Sequence, residues 1–78
     1  MKIEVFGSGC PNCKKLFERT QAAVLESGLA SEVEYITDIK KMIGAGIMQA
    51  PALVINKQIV VAGRVPGVDE IKKILANF

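Results

Sequence analysis

The sequence predicts an α/β fold in which four strands form one mixed sheet with helices on both faces, in the chain order β-α-β-α-β-β-α. Short runs rich in β-branched residues alternate with runs in which apolar residues recur every three or four positions. Glycine and proline fall mostly between these runs. The last two apolar runs before the final helix are joined by two residues, which predicts a hairpin and therefore antiparallel pairing.

The first half of the chain predicts two strands, each followed by a helix. Residues 2–6 (KIEVF) alternate as a strand does, and Pro11 then opens a helix at a position where a missing N–H is tolerated. Residues 32–36 (EVEYI) predict the second strand. A capping residue at position 37 or 38 begins a short helix. Its apolar residues share one face: Ile39, Met42 and Ile43.

The second half predicts a hairpin and a closing helix. Residues 52–55 (ALVI) and 58–63 (QIVVAG) are apolar strands, and Asn56-Lys57 is the turn between them, although Asn-Gly would be a stronger hairpin signal. Residues 68–78 form an amphipathic helix with acidic residues at its start, where they complement the helix dipole. Its apolar stripe consists of Val68, Ile71, Ile74 and Leu75.

The chain length and composition predict one globular domain spanning residues 1–78, since 78 residues are too few for two cores. Ten basic and eight acidic residues leave a net charge of +2, and the lysines are scattered, so we expect no nucleic-acid partner. No apolar run approaches the ~20 residues of a membrane span, and the N-terminus has no signal-peptide pattern. We therefore expect a cytoplasmic monomer with no membrane partner.

The only two cysteines, Cys10 and Cys13, lie three positions apart in GSGCPNCKK. A disulfide closing so short a ring adds only about 2 kcal/mol in the chain-entropy model, so it is a poor structural staple. Two residues between the sulfurs, wrapped in a helical turn, bring them within bonding distance without moving the rest of the chain. The pair is therefore predicted to be a working disulfide.

The two cysteines are predicted to have different environments and roles. Cys10 stands at the start of the first helix, where backbone N–H groups and nearby Lys14 and Lys15 favour its thiolate. Cys13 lies one turn inside, on the apolar stripe, where burial keeps the thiol protonated. We therefore expect Cys10 to be the catalytic nucleophile and Cys13 the catalytic resolving thiol.

GCPNC at a strand-to-helix junction, followed by QAPALVI, a hairpin and a closing helix, resembles a trimmed thioredoxin or glutaredoxin. The resemblance is closest to the small stand-alone redox-active disulfide proteins of archaea and bacteria. It implies a thioredoxin-like fold and a thiol-disulfide oxidoreductase that acts in electron transport. The implied partners are a disulfide-containing protein substrate and a thioredoxin-reductase-like reductase. No metal or organic cofactor is implied.

The resemblance also assigns roles to residues outside the cysteine pair. Pro51 is expected to follow a cis peptide bond beside the disulfide, and Ala50 to offer its backbone N–H and C=O to an extended substrate. Pro11 and Asn12, between the cysteines, are expected to contact substrate as well. Glu4 falls where thioredoxins keep a buried acid, which implies a proton acceptor for the resolving thiol. A solvated acid at a strand end is the alternative interpretation of Glu4.

This sequence departs from both related patterns. Gly9 replaces the aromatic residue that usually precedes the first cysteine of thioredoxins, and Pro11-Asn12 replaces their Gly-Pro. Gly63-Arg64 stands where glutaredoxins present a glycine pair to glutathione. The redox potential and the use of glutathione therefore do not follow from the resemblance.

Metal binding is the competing hypothesis from a different class of protein. The chain has no histidine and no second cysteine pair, so a closed zinc site in a monomer is not expected. Copper(I) carriage through Cys10 and Cys13 stays open, because soft thiolates suit copper(I) and small copper chaperones place such a pair before their first helix. Those chaperones, however, run β-α-β-β-α-β. A redox sensor without turnover is a further alternative.

Overall fold

The computed structural model describes all residues 1–78 and contains seven elements in the predicted order. The strands are β1 (Ile3–Phe6), β2 (Val33–Ile36), β3 (Ala52–Ile55) and β4 (Gln58–Ala62). The helices are α1 (Pro11–Glu26), α2 (Ile39–Gly44) and α3 (Val68–Ala76). Each strand, and the start of each helix, lies within one or two residues of its predicted position. No helix has the length and apolar character needed to cross a membrane.

The four strands form one mixed sheet in the order β2-β1-β3-β4. β1 and β2 are parallel, because α1 carries the chain back between them. β1 pairs antiparallel with β3, and β3 with β4. All four residues of β1 and all four of β3 are buried, as expected for central strands covered on both faces.

The turn between β3 and β4 is Asn56-Lys57, as predicted, and both residues have positive φ angles of 50° and 69°. Two successive left-handed residues match the twist of a hairpin, and asparagine tolerates this conformation better than most residues. The Asn56 side chain also accepts a hydrogen bond from the Lys2 backbone N–H at 2.9 Å. That contact ties the turn to the residue before β1.

Helices cover both faces of the sheet, as predicted. α1 and α3 share one face, where their apolar side chains pack on alternate residues of β1, β3 and β4. The buried residues of this larger cluster are Ile3, Val5, Leu16, Ala23, Val24, Leu53, Ile55, Val61, Ile71 and Leu75. α2 lies over the opposite face, whose smaller buried cluster consists of Phe6, Ile47, Ala52 and Val54. The predicted stripe of α3 packs entirely against the larger cluster.

The apolar face predicted for α2 is only partly used. Met42 packs against the smaller cluster, but Ile39 and Ile43 are 68% and 71% exposed. α2 is six residues long and has no buried residue, so it contributes little to the core. Its N-terminus is held by Asp38, whose side chain accepts a hydrogen bond from the Lys40 N–H at 2.9 Å.

Candidate active site

The two cysteines form a disulfide at the junction of β1 and α1, with their Cα atoms 5.0 Å apart. Cys10 is the N-cap residue of α1 and Pro11 is the first helical residue. The Cys10 sulfur accepts a hydrogen bond from the Cys13 backbone N–H at 3.2 Å. It therefore satisfies one of the free N–H groups of the helix start, a task that an oxygen side chain usually performs.

The two sulfurs differ in exposure, in the direction that the sequence predicted. Cys13 is fully buried, whereas Cys10 is half-buried. Pro11 and Asn12, between them, are exposed. A thiolate that approaches from solvent therefore meets the Cys10 sulfur first, and Cys13 is shielded behind it.

The charges around the disulfide favour an anion at Cys10. The first turn of α1 contains no acidic residue, and Lys14 and Lys15 are both exposed just after Cys13. The helix N-terminus carries a partial positive charge that acts over about one turn. Both effects favour a Cys10 thiolate once the disulfide opens.

Gly7 lies against Cys13, and sequence patterns gave no indication of this contact. A Cβ atom on Gly7 would lie 2.6 Å from both Cβ and Sγ of Cys13, which is too close for any real side chain. The next nearest atom is Cε1 of Tyr35, at 3.6 Å. Gly7 has no positive φ angle, so close packing on Cys13, rather than backbone conformation, is what excludes a side chain there.

The segment before β3 lies at the same end of the sheet as the disulfide, where β1 ends and β3 begins. Phe6, the last residue of β1, pairs with Ala52, the first of β3, so the chain around Pro51 borders the loop that leads to Cys10. The Ala50–Pro51 peptide bond is cis, as the resemblance implied. Pro51 is buried, while Ala50 is exposed and makes no hydrogen bond within the chain through its backbone N–H or C=O.

Gly63, which follows β4, lies at the same end of the sheet. Its backbone N–H donates to the Pro51 carbonyl at 2.8 Å, and its φ angle is +76°. A Cβ on Gly63 would collide with the side chain of Gln49, which lies across it. Met48, in the same segment, is 96% exposed, so the interpretation of this methionine as a filler of the core is wrong.

Glu4 is buried, so it is not a solvated strand-end acid, but the structure does not bring it to the disulfide. Ile3 and Val5 point toward α1, and Glu4 therefore points to the opposite face, which α2 covers. There it lines a groove with Glu34, its partner in the β1–β2 register, and with Lys41 of α2. The proton-acceptor role that the resemblance implies is untested, and this placement gives it no support.

The order of the elements also bears on the copper hypothesis. The chain runs β-α-β-α-β-β-α, whereas the copper chaperones considered above run β-α-β-β-α-β. Nothing in the fold therefore favours copper(I) carriage over thiol-disulfide chemistry.

Comparison with known proteins gives one family. Residues 1–76 match the family model described as a thioredoxin domain. The chain is 38% identical over 76 residues to a thioredoxin of Methanothermobacter thermautotrophicus, a match that covers 97% of this chain and 99% of that protein. It is 34% identical over 76 residues to a thioredoxin of Methanocaldococcus jannaschii, covering 97% and 87%.

The fold, the disulfide at the start of α1 and these matches agree with one another. They identify a thiol-disulfide oxidoreductase whose general partners are disulfide substrates and a reductase. The chain belongs to the thioredoxin domain family.

Proposed function

We propose that this oxidoreductase reduces disulfides in protein substrates, with Cys10 as nucleophile and Cys13 as resolving thiol. The Cys10 thiolate attacks one sulfur of a substrate disulfide, and the other substrate sulfur leaves as a thiolate. The Cys13 thiolate then attacks the Cys10 sulfur, and the second substrate sulfur leaves. Two electrons pass to the substrate, and the Cys10–Cys13 disulfide remains. The contrast between the half-buried Cys10 and the fully buried Cys13 carries this assignment.

The edge around Ala50 is the proposed binding site for the substrate chain. Its unpaired backbone N–H and C=O are available to an extended segment, which would add to this edge as another strand does. Pro11 and Asn12 are exposed between the two cysteines and are proposed to contact the same segment. Backbone pairing makes few demands on side chains, so this arrangement suits a range of protein substrates.

The remaining features of the proposal concern the setting in which the protein works. A dithiol reductase, of the kind that serves thioredoxins, returns two electrons to the Cys10–Cys13 disulfide. We propose that the chain acts as a single domain over residues 1–78, as a monomer and in the cytoplasm, where thiol systems keep such dithiols reduced. The proposed chemistry needs only the two sulfurs and no metal or organic cofactor.

Cysteine variants test the assignment. Each reduced variant is mixed with a disulfide-bonded model protein such as insulin, and covalent complexes are detected by mass spectrometry without reductant. We expect Cys13→Ser to accumulate a mixed disulfide through Cys10 that dithiothreitol releases. We expect Cys10→Ser to form none, because the remaining sulfur is buried. Both variants lose turnover.

Two controls complete the experiment. The Cys10→Ser, Cys13→Ser double variant measures any complex formed without cysteine, and circular dichroism establishes that all variants are folded. Equal trapping by the two single variants, or trapping through Cys13 alone, would contradict the assigned roles. Turnover that survives in both would remove the proposed mechanism altogether.

A further inference from the structure

The hydroxyl oxygen of Tyr35, Oη, is the one buried side-chain nitrogen or oxygen atom without a hydrogen-bond partner. The other fully buried hydroxyl, that of Thr20, donates to the Leu16 carbonyl at 2.7 Å. Buried polar groups in proteins are nearly always paired, and an unpaired one calls for a physical explanation. The thiol chemistry described above makes no use of Tyr35.

The Tyr35 ring is held against the first turns of α1. Tyr35 lies opposite Val5 in the β1–β2 register, so its side chain lies on the face that α1 covers. The ring stacks on Phe17 with centroids 5.1 Å apart and planes inclined by 18°. Phe17 follows Cys13 by one helical turn, and the stack therefore fixes the ring beside the resolving cysteine.

Gly7 lies next to both the Cys13 sulfur and the Tyr35 ring. The position that a Cβ would take on Gly7 is 2.6 Å from the Cys13 sulfur and 3.6 Å from the Tyr35 ring carbon Cε1. The ring and the sulfur thus both lie next to the same glycine. Gly7 is itself held by a backbone hydrogen bond to the Ile36 carbonyl at 3.0 Å.

Reduction changes what the Cys13 sulfur offers to a nearby donor. The Tyr35 hydroxyl is unpaired in the disulfide form, whereas the released Cys13 sulfur is free to move to it and accepts most strongly while it is a thiolate. Opening the bond also replaces a covalent distance by a non-bonded contact, so the two sulfurs must separate by at least about 1 Å. The Cys13 sulfur is buried with Gly7 beside it and the Tyr35 ring next to that glycine, so its movement takes place among these residues.

We propose that the Tyr35 hydroxyl donates a hydrogen bond to the Cys13 sulfur when the Cys10–Cys13 bond is open, so that Tyr35 is a positioning residue for the resolving thiol. This inference rests on the roles proposed above for the two cysteines. In the reductive direction, a dithiol reductant's thiolate attacks the Cys10 sulfur and the S–S electron pair passes to Cys13. The hydroxyl stabilises that leaving thiolate while keeping its own proton.

The hydrogen bond has a thermodynamic consequence for the redox couple. The hydroxyl is unpaired in the disulfide form and paired in the open form, so it favours the open form. Tyr35→Phe keeps the ring and removes only this preference. We expect it to make opening of the disulfide about threefold to tenfold less favourable. For a two-electron couple, that change lowers the midpoint potential by about 15 to 30 mV.

The experiment compares the midpoint potentials of the wild-type chain and Tyr35→Phe in the same series of thiol-disulfide buffers. Urea unfolding of both redox forms is the control, because a hydroxyl with a purely structural role changes the stability of both forms equally and leaves the potential unmoved. Equal potentials for the two chains would overturn the inference while the proposed function stands. A wild-type chain without a reversible transition would overturn the proposed function, and the inference with it.

A second measurement needs no variant at the tyrosine. The chain has a single tyrosine, so a ¹³Cζ label gives one signal, which reports on hydrogen bonding of the hydroxyl. We expect this signal to move when the disulfide is reduced. In Cys10→Ser, where the disulfide cannot form, we expect it to stay at the reduced position with or without oxidant. A signal that is unchanged by reduction of the wild-type chain would overturn the inference.

Discussion

A Cβ atom on Gly7 would lie 2.6 Å from the Sγ of Cys13. The residue that follows β1 therefore has to be small for Cys13 to occupy its place at the start of α1. This relationship joins the strand and the helix directly beneath the disulfide. It explains why the two elements fit together at this point, and it provides a steric means of perturbing the site without touching either sulfur.

We expect Gly7→Ala to lower the free energy of unfolding of the oxidised protein by about 1 to 3 kcal/mol, because the methyl group overpacks the Cys13 side chain. The matched control is Gly44→Ala, where a Cβ meets nothing within 4 Å. Since Gly44 lies in α2, alanine there is neutral or stabilising by up to about 1 kcal/mol. Urea unfolding measures both. Equal effects of the two substitutions would contradict the packing relationship.

The placement of Glu4 predicts that its carboxylate is not the proton acceptor for Cys13. We expect Glu4→Gln to change the rate of mixed-disulfide resolution by less than about twofold, whereas losing a general base costs about a hundredfold or more. Stopped-flow measurement of resolution at fixed pH gives this rate. Glu34→Gln, on the paired position of β2, is the control for a general effect of charge. A hundredfold loss confined to Glu4→Gln would restore the proton-acceptor role.

The pair of Arg64 and Glu70 predicts a small pH dependence of stability. The hydrogen bond from the Arg64 guanidinium, with its positive charge, lowers the pKa of Glu70 from its ordinary value of 4.5. A carboxyl whose pKa is lowered by folding stabilises the fold above its unfolded pKa, and this contribution disappears as the pH falls through the folded pKa. The window is therefore acidic, below about pH 4.5.

Glu70→Gln tests this pair against Asp69→Asn, the neighbouring acid, which forms no salt bridge. Between neutral and acidic pH the free energy of unfolding decreases. We expect this decrease to be smaller in Glu70→Gln than in the wild-type chain, and Asp69→Asn to change it less. Both groups of the pair are exposed, so the difference is small and decreases with added salt. Urea unfolding across the pH range measures it. Parallel curves for the two variants would show that the pair contributes nothing.

The order of the elements was predictable because periodicity, capping and turn residues are local properties of the chain. The two cysteines were predictable for the same reason, since their spacing and their position before a helix are local as well. The cis bond before Pro51 came from family resemblance alone and is confirmed.

What was not predictable depends on which helix covers which face of the sheet. Alternation along β1 places Glu4 on one face of the sheet and Ile3 and Val5 on the other. Periodicity does not say that α1 covers the face of Ile3 and Val5. The contacts of Gly7 and Tyr35 with the site arise in the same way, from the docking of α1 on β1 and β2. The exposure of Ile39 arises because α2 is too short to bury its apolar residues.

A redox titration shows directly whether Cys10 and Cys13 form a reversible two-electron couple. The wild-type chain is equilibrated in thiol-disulfide buffers of known potential, free thiols are alkylated, and mass spectrometry counts them. We expect one reversible two-electron transition of Cys10 and Cys13 between about −300 and −120 mV, the range of cellular thiol couples. Thiols that never pair, or that pair only between chains, would contradict it.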